Sequence, residues 1–334
     1  MIDTPTLHPR QGDSPLLITV VGPTAIGKTE LAIRIAEDLG AEILSSDSRQ
    51  FYREIPIGTA QPTPEERARA PHHFVDFLSI HDEYSSGRFE SDAQKWLTQH
   101  FASRTAHGMP PVAVMSGGSG LYVQAVHHGL DAMPSDPATR DILNAIHTTS
   151  GLAPLLDELQ KLDPQHFEVV DRQNPHRVIR ALEVSRVAGI PYSELREQHA
   201  SALTLHPGGW ARHRRRSWDT LTLGLGGPRD WLHDRIGCRA KAMIDAGWLA
   251  EAEQVLPHRE LNALKTVGYP QLFDVLEGRM DLDTALRKIT EATRQFARRQ
   301  LTWFHRQPDV HWVDARKLDR GVELVRQFVR YGRV

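Results

Sequence analysis

The sequence predicts an α/β fold, a parallel β-sheet flanked by helices and interrupted by a mostly helical insertion. Three observations carry that reading. Short apolar runs alternate with helical patterns up to residue 135, the order that builds a parallel sheet. A glycine-rich turn joins the first strand to the first helix. Strand signals then vanish between Asp136 and about 203 and return at Thr220 to Leu225.

Taken in order, Leu16 to Val21 is a continuous apolar run that suits a strand buried on both faces. Glu30 to Leu39 places Leu31, Ile35 and Leu39 on one helical face. Ala41 to Ser45 and Pro111 to Met115 read as strands, the second ending in Ser116-Gly117-Gly118-Ser119-Gly120-Leu121-Tyr122, a loop that turns into a helix. Asp136-Pro137, Asp163-Pro164 and Asn174-Pro175 mark helix starts: Asx supplies the N-cap acceptor, and proline suits the first helical position. Leu152, Leu155, Leu156 and Leu159 fall at helical spacing. The expected layout is a core of 14–135 with 204–334 and a helical insertion of 136–203. After Thr220 to Leu225, helices are expected at about 229–247, 248–256, 270–277 and 282–305. The last carries a stripe of Leu286, Ile289, Thr293, Phe296 and Trp303, with Phe296 and Trp303 read as core.

Composition narrows the function classes. The 334 residues, 40% hydrophobic and 25% charged, are those of an ordinary globular chain of about two domains. A net charge of −2 excludes a uniformly basic nucleic-acid coat but not local basic patches. The apolar run Leu16 to Val21 is far shorter than the roughly 20 residues that span a bilayer. Residues 1–15 are polar and proline-dotted, unlike a signal peptide, so the expected compartment is the cytoplasm. Cys238 is the single cysteine, which rules out an internal disulfide and a cysteine zinc cluster, and it reads as a small buried residue. His72-His73 with Asp76, and His127-His128, lack zinc-site spacing and read as turn or surface residues.

Gly22-Pro23-Thr24-Ala25-Ile26-Gly27-Lys28-Thr29 satisfies G-x-x-x-x-G-K-[ST] between a buried strand and an amphipathic helix. Backbone N–H groups turned inward and a helix N-terminus make a cradle for phosphates. Lys28 is placed to reach phosphate oxygens, and the Thr29 hydroxyl to ligate magnesium. The core is therefore expected to be P-loop NTPase-like. The loop does not name its ligand. The strand Val112 to Met115 ends in Ser116-Gly117-Gly118 instead of a metal-binding acid, and the strand-end acid near the loop is Asp47, a candidate metal ligand or base. From these residues alone a kinase acting on a small metabolite stays open.

The chain resembles the tRNA dimethylallyltransferases. The resemblance runs from Gly22–Thr29 through Asp47-Ser48-Arg49-Gln50 with Tyr52, Ile57-Gly58-Thr59-Ala60, Pro71-His72-His73 and Gly117 to Tyr122. It continues in Asp136-Pro137 with Arg140, Asn174-Pro175-His176-Arg177-Val178-Ile179-Arg180-Ala181-Leu182-Glu183, and Leu232-His233-Asp234-Arg235-Ile236. Its last landmarks are Thr266-Val267-Gly268-Tyr269, Arg294-Gln295 and Arg298-Arg299-Gln300-Leu301-Thr302-Trp303. Departures are Ile26 for a common serine, Ser119 for threonine, His176 for glutamine and Pro270 for arginine, and 206–218 matches no part of the family pattern.

The resemblance implies transfer of a dimethylallyl group from its diphosphate to N6 of the adenosine 3′ of the anticodon, position 37, in tRNAs that read codons starting with U. It implies Asp47 as the base, with Lys28, magnesium at Thr29 and Arg235 stabilising the diphosphate leaving group, and Arg239 one turn further along the same helical face. It implies tRNA contact by Asp47, Ser48, Arg49, Gln50, Ser119, Arg140, His176, Arg177 and Arg180. The partners implied are the tRNA anticodon stem-loop and dimethylallyl diphosphate, with no membrane and no obligate protein partner. Two arginine clusters, Arg294, Arg298, Arg299 and Arg306, and Arg212, Arg214, Arg215 and Arg216, are further candidates for the RNA backbone. The competing readings are the small-metabolite kinase, a relative that prenylates free adenine nucleotides, and an RNA-binding switch that does not turn over its nucleotide.

Overall fold

A computed structural model describes residues 14–130, 133–199, 203–205, 211–213 and 216–331. The first apolar run forms β1 (Leu16–Val21), with every residue buried. It is followed by α1 (Lys28–Leu39), β2 (Ile43–Ser45), α2 (Pro64–Arg69), β3 (His72–His73), α3 (Ser86–Ala106), β4 (Val112–Gly117) and α4 (Gly120–His128). The helical stretch comprises α5 (Pro137–Ser150), α6 (Ala153–Leu162), α7 (Pro164–Val169), α8 (Pro175–Ala188) and α9 (Tyr192–His199). The chain continues with β5 (Leu203–Leu205), β6 (Ala211–His213), β7 (Asp219–Gly226), α10 (Arg229–Asp245), α11 (Trp248–Val255), α12 (Tyr269–Leu276), α13 (Leu282–Phe304), β8 (Val310–Asp314) and α14 (Leu318–Tyr331).

The strands make one sheet in the order β3-β2-β4-β1-β7, all parallel, with β8 extending it beside the second half of β7. At the start of β7, Thr220 pairs with Ala211 of β6, which forms an antiparallel hairpin with β5. The parallel part is sandwiched between helices, so β1 alternates between two apolar layers. Leu17 and Val21 pack with Phe89, Ala93 and Leu97 of α3 and Val123 and Val126 of α4. Leu16, Ile18 and Val20 pack with Leu31 and Ile35 of α1 and Val322, Val325 and Phe328 of α14.

The chain divides into a sheet unit, 1–129 with 203–334, and a helical unit, 130–202, which opens six residues before the expected Asp136. All three Asx-Pro pairs start helices. Asp136, Asp163 and Asn174 accept from the backbone N–H of Thr139, His166 and Arg177, and each proline opens the first turn. The helical unit buries Leu143, Leu155, Leu159, Val178, Ile179 and Leu182 as its own core.

Several expectations are corrected. His127 is buried, bonded through Nε2 to Thr19 Oγ1 at 2.8 Å, since α4 lies across β1. His72 and His73 form the edge strand β3, and His73 Nε2 meets Glu42 at 2.6 Å. Cys238 is exposed on α10, whose buried face carries Leu232, Ile236 and Ala240. Arg216 is buried, not presented to RNA: it pairs with Glu90 at 2.7 Å and donates to the carbonyls of Ala125 and Val126, tying the start of β7 to the end of α4. Arg214 and Arg215 lie outside the described residues, and Arg212 falls on β6. Among the described residues no helix is long and apolar enough to cross a membrane.

Candidate active site

Strand register sets where the site must be. Val21 pairs with Gly117 and with Gly224, and Ser45 pairs with Ser116, so β1, β2, β4 and β7 end abreast. In an open parallel sheet, ligands bind in the crevice beyond those carboxyl ends. The loop Gly22–Gly27 leaves β1 there, Asp47-Ser48-Arg49-Gln50 leaves β2, and Gly118-Ser119 leaves β4. Together with α10, α11 and α13 they enclose a cleft of about 750 Å³.

At the phosphate loop, Ala25 takes the left-handed conformation at φ 64°, a strained state for a residue with a side chain that the surroundings must hold. They do so from several sides. Arg235 Nε donates to the Ala25 carbonyl at 2.8 Å, Lys28 Nζ donates to the Pro23 carbonyl at 2.9 Å, and Arg239 Nη1 donates to Thr24 Oγ1 at 3.3 Å. Ile26, read above as a departure from a common serine, points into the apolar layer and is buried, so its side chain is core and leaves the backbone cradle intact. Burial pulls the Lys28 ammonium down to about 8; the Asp47 carboxylate opposes that shift and the Arg239 guanidinium adds to it. Lys28, Asp47 and Arg239 therefore share one electrostatic neighbourhood. Burial also lowers Arg239, against the pull of Asp47.

Asp47 sits in a turn, its Oδ1 accepting from the Arg49 N–H at 3.1 Å, and it lines the cleft with Ser48 and Arg49. Ser48 meets Ser119 through both backbone N–H and hydroxyl, each at 3.2 Å, which joins the β2 and β4 loops. Gln50 faces inward, donating to the Ala60 carbonyl at 2.9 Å and accepting from Ser45 Oγ, so its amide shapes the loop. Arg49 Nη1 donates to the Asn262 carbonyl at 2.7 Å.

The cleft has residues the sequence left unassigned. Gln300 of α13 is buried and bridges the Thr24 N–H and the Gly118 carbonyl. Glu251 of α11 accepts from the N–H groups of Ile57 and Gly58 and from the Tyr269 hydroxyl, fixing a loop whose Gly58 and Thr59 line the cleft. Phe296, expected in the core, instead lines the cleft, exposed with Arg299 over its ring, whereas Trp303 packs against the core as expected and lines the cleft as well. With Ile236, Met243 and Trp248 they give the cleft apolar lining beside its charged residues. The α13 stripe was correctly periodic, but periodicity does not tell a core from a pocket wall.

The other predicted residues lie in the helical unit. Arg140 and Arg180 both converge on Glu183, whose carboxylate is fully buried, at 2.7 and 3.0 Å, and Glu183 also accepts from the Asp136 N–H and the Ser135 hydroxyl. Those bonds hold its carboxyl below the usual range against the opposing effect of burial. His176 and Arg177 are exposed in the first turn of α8. The first two arginines thus organise the unit and still keep part of their surface open.

Residues 50–307 match the family model described as IPP transferase. The chain is 43% identical over 299 residues to a tRNA dimethylallyltransferase of Christiangramia forsetii, covering 89% of this chain and 93% of that one. It is also 43% identical to tRNA dimethylallyltransferase 2 of Parabacteroides distasonis, with the same coverage. Among solved structures it is similar to a tRNA isopentenylpyrophosphate transferase of Bacillus halodurans, with TM-score 0.64, 30% identity and coverage of 94% and 96%. A eukaryotic dimethylallyltransferase acting on tRNA, at 24% identity, shares the fold with TM-score 0.77 over 96% of this chain and 81% of that one.

Proposed function

The chain belongs to the IPP transferase family, and from that premise we propose that it transfers a dimethylallyl group from dimethylallyl diphosphate to N6 of the adenosine 3′ of the anticodon, position 37, in tRNAs that read codons starting with U. Its activity is tRNA prenylation. The observation that carries the finer reading is the cleft: Thr24 and Ala25 of the phosphate loop, Arg239, Asp47 on the β2 loop and the rings of Phe296 and Trp303 all line it.

The residues divide the chemistry. The backbone of Gly22 to Thr29 and the Lys28 ammonium hold the diphosphate, and Arg239 with Arg235 braces the loop around it. As the allylic carbon–oxygen bond breaks, negative charge grows on the departing diphosphate, which the positive charge gathered at the loop would stabilise. The carbon bonds to N6 of adenosine, and the N6 proton passes to the Asp47 carboxylate. The donor atoms fit magnesium: the Thr29 hydroxyl and the substrate's phosphate oxygens are hard ligands of the kind it takes. When bound, the ion neutralises diphosphate charge. The adenine must leave its stack to reach the cleft. Ser48, Arg49 and Ser119 would meet RNA at the cleft, with the inward-facing Gln50 shaping the loop behind them, and Arg140, His176, Arg177 and Arg180 would do so on the helical unit. The anticodon stem-loop is the partner and the cytoplasm the compartment this reading requires.

Incubation with unmodified tRNA, magnesium and dimethylallyl diphosphate, followed by nucleoside mass spectrometry, tests the reading. An adenosine carrying one C5H8 unit is expected at the anticodon-adjacent site. An unmodified product, or modification of free adenine nucleotides only, overturns it.

A further inference from the structure

We propose that Gln300 is a positioning residue that couples the donor-binding loop to the acceptor-binding loop, so that occupancy of one site tightens the other. This rests on the prenylation reading above. The Gln300 side chain is 6% exposed, and its Oε1 accepts from the Thr24 N–H at 2.8 Å while its Nε2 donates to the Gly118 carbonyl at 2.9 Å. Only one orientation of the amide serves both partners, because Thr24 N–H can only donate and the Gly118 carbonyl can only accept. One planar group is thus fixed to two loops that leave different strands.

Each end leads directly to a substrate. Thr24 lies inside the phosphate loop, and its hydroxyl also receives Arg239. Gly118 precedes Ser119, which is bonded to Ser48 beside Asp47. The approach at Gly118 depends on the missing side chain: a Cβ there would lie 2.2 Å from Gln300 Nε2. Any shift of the phosphate loop on binding a diphosphate would reach the adenosine side through two direct hydrogen bonds to one planar amide. Such a link is a coupling free energy, and it is necessarily reciprocal.

The test measures binding of a labelled anticodon stem-loop RNA to the full chain with magnesium. It is done with and without a dimethylallyl diphosphate analogue in which sulfur replaces the bridging oxygen. Wild type is expected to bind RNA about fivefold or more tighter with the analogue present. The analogue must gain the same factor from the RNA. Gln300→Met, of similar length but unable to make either bond, should bring the ratio to about 1 in both directions. Gly118→Ala, which keeps the glutamine but whose Cβ would push its amide away, should do the same and serves if the first variant does not fold. A merely structural role would weaken one or both affinities yet leave their ratio unchanged, and that result overturns the proposal. So does a wild-type ratio near 1. If wild type binds neither RNA nor the analogue, the prenylation reading itself fails, an outcome distinct from lost coupling.

Discussion

Asp47 and Lys28 share one electrostatic neighbourhood but should fail in different ways when altered. Among the described residues Asp47 has no ion-pair partner within 4 Å, and its carboxylate accepts from the Arg49 N–H of its own turn at 3.1 Å. Asp47→Ala should therefore bind RNA within about twofold of wild type and lose on the order of 10²–10⁴ in turnover, the usual worth of a positioned base. Single-turnover assays at saturating RNA read this directly, and near-normal turnover would sink the assignment. Lys28 is a matter of charge. Burial brings its ammonium to about 8 in the free protein. The protonated form is the one that binds diphosphate, so donor affinity is full below that value and lost as pH rises through it. The profile of kcat/KM for the donor, which reports free-enzyme groups, should be flat on the alkaline side up to about pH 8 and then fall about tenfold per unit. Lys28→Ala should remove that limb along with most of the activity.

At the scale of elements, the site depends on polar side chains that reach from helices to the backbone of distant loops. Glu251 is the clearest: its buried carboxylate is the shared acceptor for Ile57 N–H at 2.7 Å, Gly58 N–H at 2.8 Å and the Tyr269 hydroxyl at 2.6 Å. Glu251→Ala leaves three donors without that acceptor and should cost about 2–3 kcal/mol, seen as a lower urea midpoint, while Glu251→Gln keeps an acceptor oxygen and costs less. The same dependence explains what was legible beforehand. Asp136, Asp163 and Asn174 cap helices through bonds three residues away, and a local pattern announces them. The Gly22–Thr29 loop is likewise written in consecutive residues. Gln300 and Glu251 act across 276 and 193 residues of sequence, and nothing in their neighbours marks the partner. The two-residue strand β3 and the β5–β6 hairpin exist because an edge is available to them, which is a property of the assembled sheet. The final helix α14 differs: Leu318, Val322, Val325 and Phe328 recur at helical spacing, a signal present in the sequence but unread.

For the molecule as a whole, a net charge of −2 means that a polyanion is attracted only where positive charge is gathered locally. The helical unit gathers Arg140, Arg177 and Arg180, but their surroundings differ. Arg177 is exposed in the first turn of α8, whereas Arg140 and Arg180 share the buried Glu183. If RNA binding uses about four phosphate contacts, affinity should fall on the order of fiftyfold between about 50 and 200 mM salt. Arg177→Ala should weaken binding and reduce the slope of log K against log salt by about 0.7, leaving thermal stability unchanged. Arg140→Ala should reduce the slope as well, but it removes a charged hydrogen bond from a carboxylate with no access to water. It should therefore also destabilise the protein by about 1–2 kcal/mol. Filter binding across a salt series, paired with urea unfolding of each variant, separates the two roles. If both arginines changed stability and neither changed the slope, the helical unit's arginines would be scaffold, and RNA would have to be held by the loops at the cleft.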